Sequence, residues 1–192
     1  MIRALICVDV EHDFLPSGSL AVPGGDGVIE PLQAVAAHCS LVVATRDNHP
    51  ADHVSFVANG GIWPPHCVTG TPGAELHPAI AALAGTVVDK GTDRGTDAYS
   101  GFEGTHLHRL LQEHGVTELV IGGLATDYCV LATVRDALRL GYTVTVLEDA
   151  IRAVDVTAGD GKRAVQEMRS AGARIMHSTQ YIRECLRTGM EL

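Results

Sequence analysis

Three residues with the chemistry of a nucleophile, a base and a cation each follow a short apolar run of the chain. Cys129 comes after such a run and a glycine pair, at the start of a segment with helical periodicity, and Asp9 and Lys90 end two others. A thiol in the first turn of a helix lies at the positive end of the helix dipole, which favours the nucleophilic thiolate. Asp9 could accept the thiol proton, and the Lys90 ammonium could hold that carboxylate ionised. Taken singly, each residue is better explained as a core cysteine or a solvated strand-end charge, and it is their joint placement that points to chemistry.

A second group of residues has the side chains of a metal site. Asp47, His49 and His53 form a D-x-H-x₃-H pattern, and His66 follows a Trp-Pro-Pro segment. Carboxylate oxygens and imidazole nitrogens suit zinc, manganese or ferrous iron. The chain contains ten histidines, so chance clustering explains the spacing equally well. Cys67 is predicted to be structural, because neither a strand end nor a helix start activates it.

Composition restricts the class of protein. The 192 residues carry a formal charge of −9 without a Lys/Arg cluster, which argues against nucleic-acid binding. A hydrophobic content of 46% excludes a disordered chain, and the length fits a single domain over residues 1–192. No apolar run approaches the ~20 residues of a membrane span, and the apolar start is too short for a signal peptide. Five scattered cysteines favour a reducing cytoplasmic location.

Apolar, β-branched runs alternate with helical patterns along the chain. The predicted strands cover residues 4–8, 41–44, 86–88, 119–121, 143–147 and 173–176, and the predicted helices cover about 27–39, 75–84, 103–114, 129–140, 158–171 and 179–188. Near-continuous apolar strands separated by single helices predict a three-layer α/β/α, Rossmann-like fold with a mainly parallel central sheet. Asp26 and Thr157 are predicted helix N-caps, and Gly115, Gly141 and Gly172 are predicted to end helices.

The predicted fold places the reactive residues together. In open α/β sheets, ligands bind beyond the carboxyl ends of the strands. Asp9, Asp47, Lys90 and Cys129 all follow or end predicted strands, so we expect them at one edge of one sheet. The segment 46–74, rich in Pro, Gly and His, lacks helix or strand signals, and a loop of that length is usually functional.

Ordered sequence matches along the whole chain point to one enzyme family. The matching segments read VDVEHDF at 8–14, GSLAV at 18–22, TRDNH at 45–49, WPPHCV at 63–68, GTPGA at 70–74, KG at 90–91, AYSGF at 98–102 and GLATDYCV at 123–130. On these motifs the chain resembles the isochorismatase-like cysteine hydrolases and, among them, is similar to the nicotinamidases (pyrazinamidases). The resemblance implies a role in pyridine nucleotide biosynthesis by NAD salvage.

The resemblance also implies a mechanism. Asp9, Lys90 and Cys129 would form a catalytic triad that converts nicotinamide to nicotinate and ammonia through a Cys129 thioester, and pyrazinamide would be hydrolysed as well. A cis peptide bond would precede Ala125, and the N–H groups of Ala125 and Cys129 would form an oxyanion hole. The implied partner is this small-molecule substrate, with no nucleic acid and no membrane, while monomer and homo-oligomer both remain open.

The same resemblance implies one divalent metal ion that anchors the pyridine nitrogen. Zinc is the expected ion, with iron or manganese as alternatives. The implied ligands are Asp47, His49, His53 and His66. We also expect three aromatic residues to flank the flat substrate ring, namely Phe14, Trp63 and Tyr99.

Two residues depart from the family pattern. Glu11 replaces the glutamine of D-x-Q-x-D-F, and it could either raise the pKa of Asp9 or pair with a local donor. Tyr128 stands where close relatives often have histidine. The alternatives are an amidohydrolase of the same fold acting on a carbamoyl or ureido substrate, and an inactive metal-binding or interaction module. An aspartyl-nucleophile phosphatase is disfavoured, because residues 9–13 do not supply its D-x-D-x-[TV] motif.

Overall fold

A computed structural model describes residues 2–187, in which six strands form one parallel sheet. The strands are β1 (Ile2–Val8), β2 (Leu41–Asp47), β3 (Thr86–Lys90), β4 (Val116–Leu124), β5 (Thr143–Arg152) and β6 (Arg174–Met176). The α-helices are α1 (Ile29–Ala36), α2 (Pro78–Leu83), α3 (Leu107–Glu113), α4 (Leu131–Arg139), α5 (Asp160–Ser170) and α6 (Ser178–Arg187). Within the described residues, no helix has the length and apolar character needed to cross a membrane.

Helices cover both faces of the sheet, as the predicted three-layer α/β/α architecture requires. Helices α1, α2 and α6 pack together on one face, and α4 and α5 pack on the other face beside α3. The alternation of β1 divides its side chains between the two cores, with Leu5 on the first side and Ala4 and Ile6 on the second. All three are fully buried, which explains why the strand is apolar throughout rather than alternating with polar residues.

The strand order creates a gap in which a site can form. The order across the sheet is β3-β2-β1-β4-β5-β6, and every neighbouring pair is parallel. From β1 the chain therefore extends the sheet through β2 to β3 on one side. It then returns to β4 beside β1 and extends the sheet through β5 to β6 on the other side. Connections leave β1 and β4 toward opposite sides, so a crevice opens beyond their carboxyl ends.

The structure confirms all six predicted strands and lengthens several of them. It also confirms that Gly115, Gly141 and Gly172 follow helix ends, since each has a positive φ just beyond α3, α4 or α5. The predicted end of the last helix at residue 188 lies outside the described residues.

The two N-cap predictions are wrong. Asp26 lies inside a 3₁₀ turn that leads directly into α1, so no extended residue is available to cap the helix. Helix α5 begins after Gly159, and this N-cap residue makes no side-chain hydrogen bond to the backbone of the first turn. The backbone N–H of Thr157 donates to the Asp160 carboxylate at 2.8 Å, and its backbone carbonyl accepts the Asp160 N–H at 3.0 Å, so Thr157 contributes backbone groups and no side-chain cap.

Candidate active site

Four strand ends position the reactive side chains. Asp9 follows β1 directly and has a φ of 47°, while Asp47 and Lys90 are the last residues of β2 and β3 and are register partners. After β4, the chain forms a π-helical turn, Thr126–Val130, that contains Cys129 and leads into α4. The fold therefore brings these residues to one edge of the sheet, as the sequence predicts.

The ammonium group of Lys90 lies at the centre of the predicted triad. Its Nζ is 3.0 Å from Asp9 Oδ2 and 3.5 Å from Cys129 Sγ, and it donates to the carbonyl oxygen of Ala98 at 3.1 Å. Asp9, Lys90 and Cys129 are 0%, 1% and 6% exposed. Because water is excluded, the electrostatic interactions among the three groups are strong.

The second oxygen of Asp9 has a partner that sequence reasoning missed. Thr45 donates its hydroxyl hydrogen to Asp9 Oδ1 at 2.6 Å, and both side chains are fully buried. A signal for this contact is present in the sequence, because Thr45 lies two residues before Asp47 and so shares its face of β2.

Burial dominates the protonation states of the triad. It raises the pKa of the Cys129 thiol well above its usual value, and the opposing effect of Lys90 does not compensate. The expectation that the helix start favours a resting thiolate is therefore wrong. Burial also raises the pKa of Asp9, which makes this carboxylate a stronger base. Burial would lower the pKa of Lys90, but Asp47 and Asp9 outweigh it and raise that pKa well above its usual value.

Three of the four predicted metal ligands converge. One ligand atom each from Asp47, His49 and His66 lies within 4.8 Å of the others, and all three residues are buried. The Nδ1 atoms of His49 and His66 lie 2.8 Å from the carbonyl oxygens of Gly91 and Pro64, respectively. Those bonds fix each ring with Nε2 available as a ligand, which is the usual support for a metal-binding histidine. The donor set therefore fits a divalent metal ion.

His53 lies beside this group without joining it. Its ring stacks on that of His49 with centroids 4.1 Å apart. Its Nδ1 is 2.7 Å from the Ser55 hydroxyl, and its Nε2 is 3.2 Å from the carbonyl oxygen of Thr96. To bind a metal, Nε2 would have to give up its contact with Thr96, so the fourth ligand stays a prediction.

Asp47 links the metal ligands to the triad. Its Oδ1 accepts a hydrogen bond from Lys90 Nζ at 2.5 Å, and its Oδ2 is 3.6 Å from His49 Nε2. Burial would raise the pKa of Asp47, but Lys90 and His49 outweigh it and lower the pKa below its usual value. The Asp47 side chain is thus an ionised carboxylate shared by two functional groups.

Glu11, one of the two departures from the family pattern, is fully buried behind Asp47. Its Oε2 accepts the backbone N–H of Asp47 at 2.9 Å, so it pairs with a local donor. Its Oε1 has no well-oriented hydrogen-bond partner within residues 2–187, although the thiol of Cys67 is close by. Burial, together with Asp47 and Asp9, raises the pKa of Glu11 well above its usual value. Cys67 is itself fully buried, in agreement with a structural role.

An aromatic cavity of about 40 Å³ adjoins Cys129, the predicted nucleophile. The predicted residues Phe14, Trp63 and Tyr99 line it together with Cys129, and the structure adds Tyr128 to the wall. The indole N–H of Trp63 donates to the Tyr99 hydroxyl at 3.1 Å, which ties two of these rings together. A larger open cleft of about 330 Å³ beside α5 contains no triad residue and no metal ligand.

Backbone groups at the end of β4 complete the site. The peptide bond between Leu124 and Ala125 is cis, in agreement with the family resemblance. The carbonyl of Ala125 accepts hydrogen bonds from the N–H groups of Tyr128 and Val130, which flank Cys129 in the chain. The thiol is therefore held on a turn that is wider than an α-helical turn.

Comparison with known protein families agrees with this geometry. Residues 3–181 match the Isochorismatase domain. This chain belongs to the isochorismatase family. The match includes all six strands of the sheet, apart from Ile2 at the start of β1, and every residue of the predicted triad and metal-ligand group.

Relatives of this isochorismatase-family chain include proteins named as nicotinamidases and pyrazinamidases. It is 43% identical over 189 residues to the nicotinamidase/pyrazinamidase of Mycobacterium tuberculosis, covering 92% of this chain and 100% of that protein. Among solved structures it resembles the pyrazinamidase of Pyrococcus horikoshii in complex with zinc, with a TM-score of 0.86, 43% identity, and coverage of 92% and 99% of the two chains. It also resembles PnC1 from L. infantum in complex with nicotinate, with a TM-score of 0.87, 37% identity, and coverage of 93% of each chain.

Proposed function

We propose that this protein hydrolyses nicotinamide to nicotinate and ammonia, and pyrazinamide in the same way. The observation that carries the proposal is the position of the metal-ligand group formed by Asp47, His49 and His66. Asp47 and His66 line the same aromatic cavity as Cys129, so a pyridine nitrogen and its carboxamide could be bound at once. The nicotinamidase and pyrazinamidase relatives support this assignment.

Attack on the amide begins with a proton transfer. Asp9 Oδ2 takes the proton of the Cys129 thiol, and the Lys90 ammonium stabilises the sulfur as its charge develops. Cys129 Sγ then bonds to the carbonyl carbon, and the electron pair of the C=O bond moves onto oxygen. The N–H groups of Ala125 and Cys129 would hold this oxyanion, because unpaired donors occur where a helical turn begins.

The breakdown of that tetrahedral species releases ammonia. Asp9 returns its proton to the amide nitrogen, the C–N bond breaks, and a thioester with Cys129 remains. Asp9 then takes a proton from water, whose oxygen attacks the thioester. The C–S bond breaks, Asp9 returns its proton to Cys129, and the product leaves as nicotinic acid, which loses its proton to water to give nicotinate. The raised pKa of Asp9 suits it to both directions of proton transfer.

Asp47, His49 and His66 would hold the divalent ion, with His53 as the fourth ligand. Zinc is the expected ion, with iron or manganese as alternatives, and the P. horikoshii relative in complex with zinc supports this choice. When bound, the ion supplies an electrophilic anchor that fixes the orientation of the pyridine ring.

Substrate entry requires the aromatic wall to move. A cavity of about 40 Å³ has room for about three water molecules, whereas a pyridine carboxamide is larger. Phe14, Trp63 and Tyr99 would then close on both faces of the ring and exclude water during reaction. Tyr128 would close the same cavity from the side of the nucleophile.

The wider setting follows from the same features. We infer a single domain over residues 1–192, since one sheet carries every element of the site. The cytoplasm is the location that suits a thiol nucleophile, and all five cysteines are reduced. The substrate is a small molecule, and either a monomer or a homo-oligomer could carry this site within one chain.

The decisive experiment measures ammonia release from nicotinamide by the purified protein. Chelation should abolish release and added zinc should restore it, and Cys129→Ala should abolish turnover while leaving substrate binding largely intact. Cys39→Ala is the matched control, because it removes another buried thiol, which lies between α1 and β2 at the amino end of the sheet, opposite the triad. Near-normal turnover by Cys129→Ala would disprove the mechanism.

The main rival is an amidohydrolase acting on a carbamoyl or ureido substrate. That reaction needs no anchor for a pyridine nitrogen, so chelation should leave it largely unaffected. Release of ammonia from a ureido compound by the chelated protein, with none from nicotinamide by the metal-loaded protein, would favour the rival.

A further inference from the structure

The two oxygens of the Asp9 carboxylate have different surroundings. Oδ2 lies 3.0 Å from Lys90 Nζ, which is itself 3.5 Å from Cys129 Sγ, and the Asp9 side chain is close enough to interact with that thiol. Oδ1 accepts a 2.6 Å hydrogen bond from the hydroxyl of Thr45. In the proposed mechanism only Oδ2 exchanges protons, so the hydrogen bond from Thr45 to Oδ1 has no role in those steps.

Thr45 contacts Asp9 twice. Besides the side-chain bond, the backbone carbonyl of Thr45 accepts the N–H of Asp9 at 3.3 Å. Asp9 lies one residue beyond the end of β1, with a φ of 47°, where regular strand pairing no longer fixes its orientation. Thr45 lies inside β2, where strand pairing fixes its position, so its two hydrogen bonds hold the Asp9 carboxylate in place.

We propose that Thr45 is a positioning residue that orients the Asp9 carboxylate so that Oδ2 alone exchanges protons with Cys129 and the substrate. The inference rests on the proposed function, because it assigns Asp9 as the base. A carboxyl group that rotates about its Cβ–Cγ bond presents either oxygen to the thiol. The Thr45 hydroxyl prevents this rotation by keeping one oxygen as its acceptor.

The arrangement works in both protonation states. While Asp9 is ionised, Oδ1 accepts from Thr45 and Oδ2 is available as the base. After Oδ2 has taken the thiol proton, Oδ1 is the carbonyl oxygen of a carboxylic acid and still accepts the same hydrogen bond. The orientation of the group therefore survives the transfer, and the proton stays on the side from which it must be returned.

The structure contains a matched control for this idea. Thr145 in β5 is also fully buried, but its hydroxyl has no hydrogen-bond partner within the described residues. Thr45→Val and Thr145→Val thus make the same chemical change at two buried positions of the same sheet. Thr45→Ser keeps the hydroxyl at the first position and loses only a methyl group.

Steady-state kinetics on nicotinamide with the metal-loaded protein test the proposal. We expect Thr45→Val to lower kcat about 10- to 100-fold, a part of the about 10²- to 10⁴-fold that proton transfer catalysis supplies, with KM changed less than about twofold. Thr45→Ser should recover most of the rate, and Thr145→Val should match the unchanged protein. Metal content is measured in every variant, because Thr45 lies two residues from Asp47.

A second readout does not depend on nicotinamide. Alkylation of Cys129 by iodoacetamide requires removal of the thiol proton, so Thr45→Val should slow it and Thr45→Ser should not, with Cys129→Ala as the blank. If the unchanged protein fails to release ammonia, the proposed function fails and alkylation alone decides the role of Thr45. Should Thr45→Val not fold, Thr45→Ala replaces it in both assays. Equal rates for Thr45→Val and Thr145→Val, or no recovery with Thr45→Ser, would overturn the proposal.

Discussion

The two ends of the central sheet bury charge in opposite ways. At the amino end, Arg3 of β1 and Glu118 of β4 are register partners, and Arg3 Nε lies 2.6 Å from Glu118 Oε2. Their side chains are 10% and 6% exposed, and one cation meets one anion. Arg3 also contacts the thiol of Cys185, so a further donor of the guanidinium has a partner.

At the carboxyl end, the charges are not matched one to one. Lys90 is a single buried ammonium among three buried carboxyl groups, those of Asp9, Glu11 and Asp47. Burial raises the pKa of two of these groups, and a divalent ion beside Asp47 would offset the remaining negative charge. The balanced end thus leaves no buried charge without a partner, while the unbalanced end contains groups that could exchange protons and bind a cation.

The largest expected effect comes from removing the ammonium of the unbalanced end. Lys90→Met leaves Asp9 and Asp47 without their shared cation, so we expect a loss of unfolding free energy above the about 3–5 kcal/mol that breaking one buried pair costs. Turnover should vanish as well. Urea unfolding and ammonia release measure the two effects, and Lys162→Met, at the exposed second lysine, is the control. A Lys90→Met protein as stable as the Lys162→Met control would refute the claim that Lys90 compensates the buried carboxylates of Asp9 and Asp47.

The balanced end should behave as a self-contained pair. Arg3→Met leaves the Glu118 carboxylate buried without its cation and should cost about 3–5 kcal/mol in urea unfolding. The double variant Arg3→Met/Glu118→Leu should recover most of that loss, because no unpaired charge remains. Both variants should keep kcat within about twofold. A large fall in kcat would show that the two ends of the sheet are coupled.

Metal removal tests the unbalanced end from another direction. An ion present at about 1,000 times its Kd stabilises the folded state by about 4 kcal/mol, so chelation should lower the unfolding free energy by that order. The Cys129→Ala protein should respond as much as the unchanged protein, since its ligand group is intact. His66→Ala should respond far less. If all three proteins respond alike, the ion binds elsewhere.

The smallest expected effect is a pH dependence from Glu11. Its pKa in the folded protein lies well above the ordinary 4.5, so the folded state binds a proton that the unfolded state releases. Stability of the metal-free protein is therefore full below that ordinary value and falls as the pH rises toward the raised pKa, by at most about 1.4 kcal/mol per pH unit. Glu11→Gln should reduce this slope in urea unfolding across that range, leaving the part due to Asp9, and Glu103→Gln, at an exposed position, should not reduce it. An identical slope in both variants would contradict the assignment.

Periodicity found every strand because the strands are buried on both faces, but the apolar runs of β2 and β3 stop short of the ends at Asp47 and Lys90. Both strands continue into charged residues, which carry no apolar signal. Arg46 of β2 pairs with Asp89 of β3 at 2.8 Å, and next to them Asp47 pairs with Lys90. Those partners are known only once the two strands are placed side by side.

The site was predictable to the extent that strand ends meet at one edge of a parallel sheet. That rule placed Asp9, Lys90 and Cys129 together, and the family motifs singled out the metal ligands. The raised pKa of Cys129 was not predictable, since it depends on how completely the folded chain excludes water. Thr45 was missed because threonine is common in strands for its shape alone, and nothing local shows which hydroxyl will meet a carboxylate.

The π-helical turn Thr126–Val130 has a consequence for how this enzyme can change during evolution. Such a turn holds one residue more than an α-helical turn, and each residue of a regular helix rotates the next by about 100°. Deleting one residue ahead of Cys129 would let α4 extend as an ordinary helix with its buried residues Val134 and Ala137 undisturbed, while the thiol swings away from Asp9. The loss of a single codon is thus expected to give a protein that folds but has no activity. Lineages that keep the activity should therefore vary in residue type within this turn and never in its length.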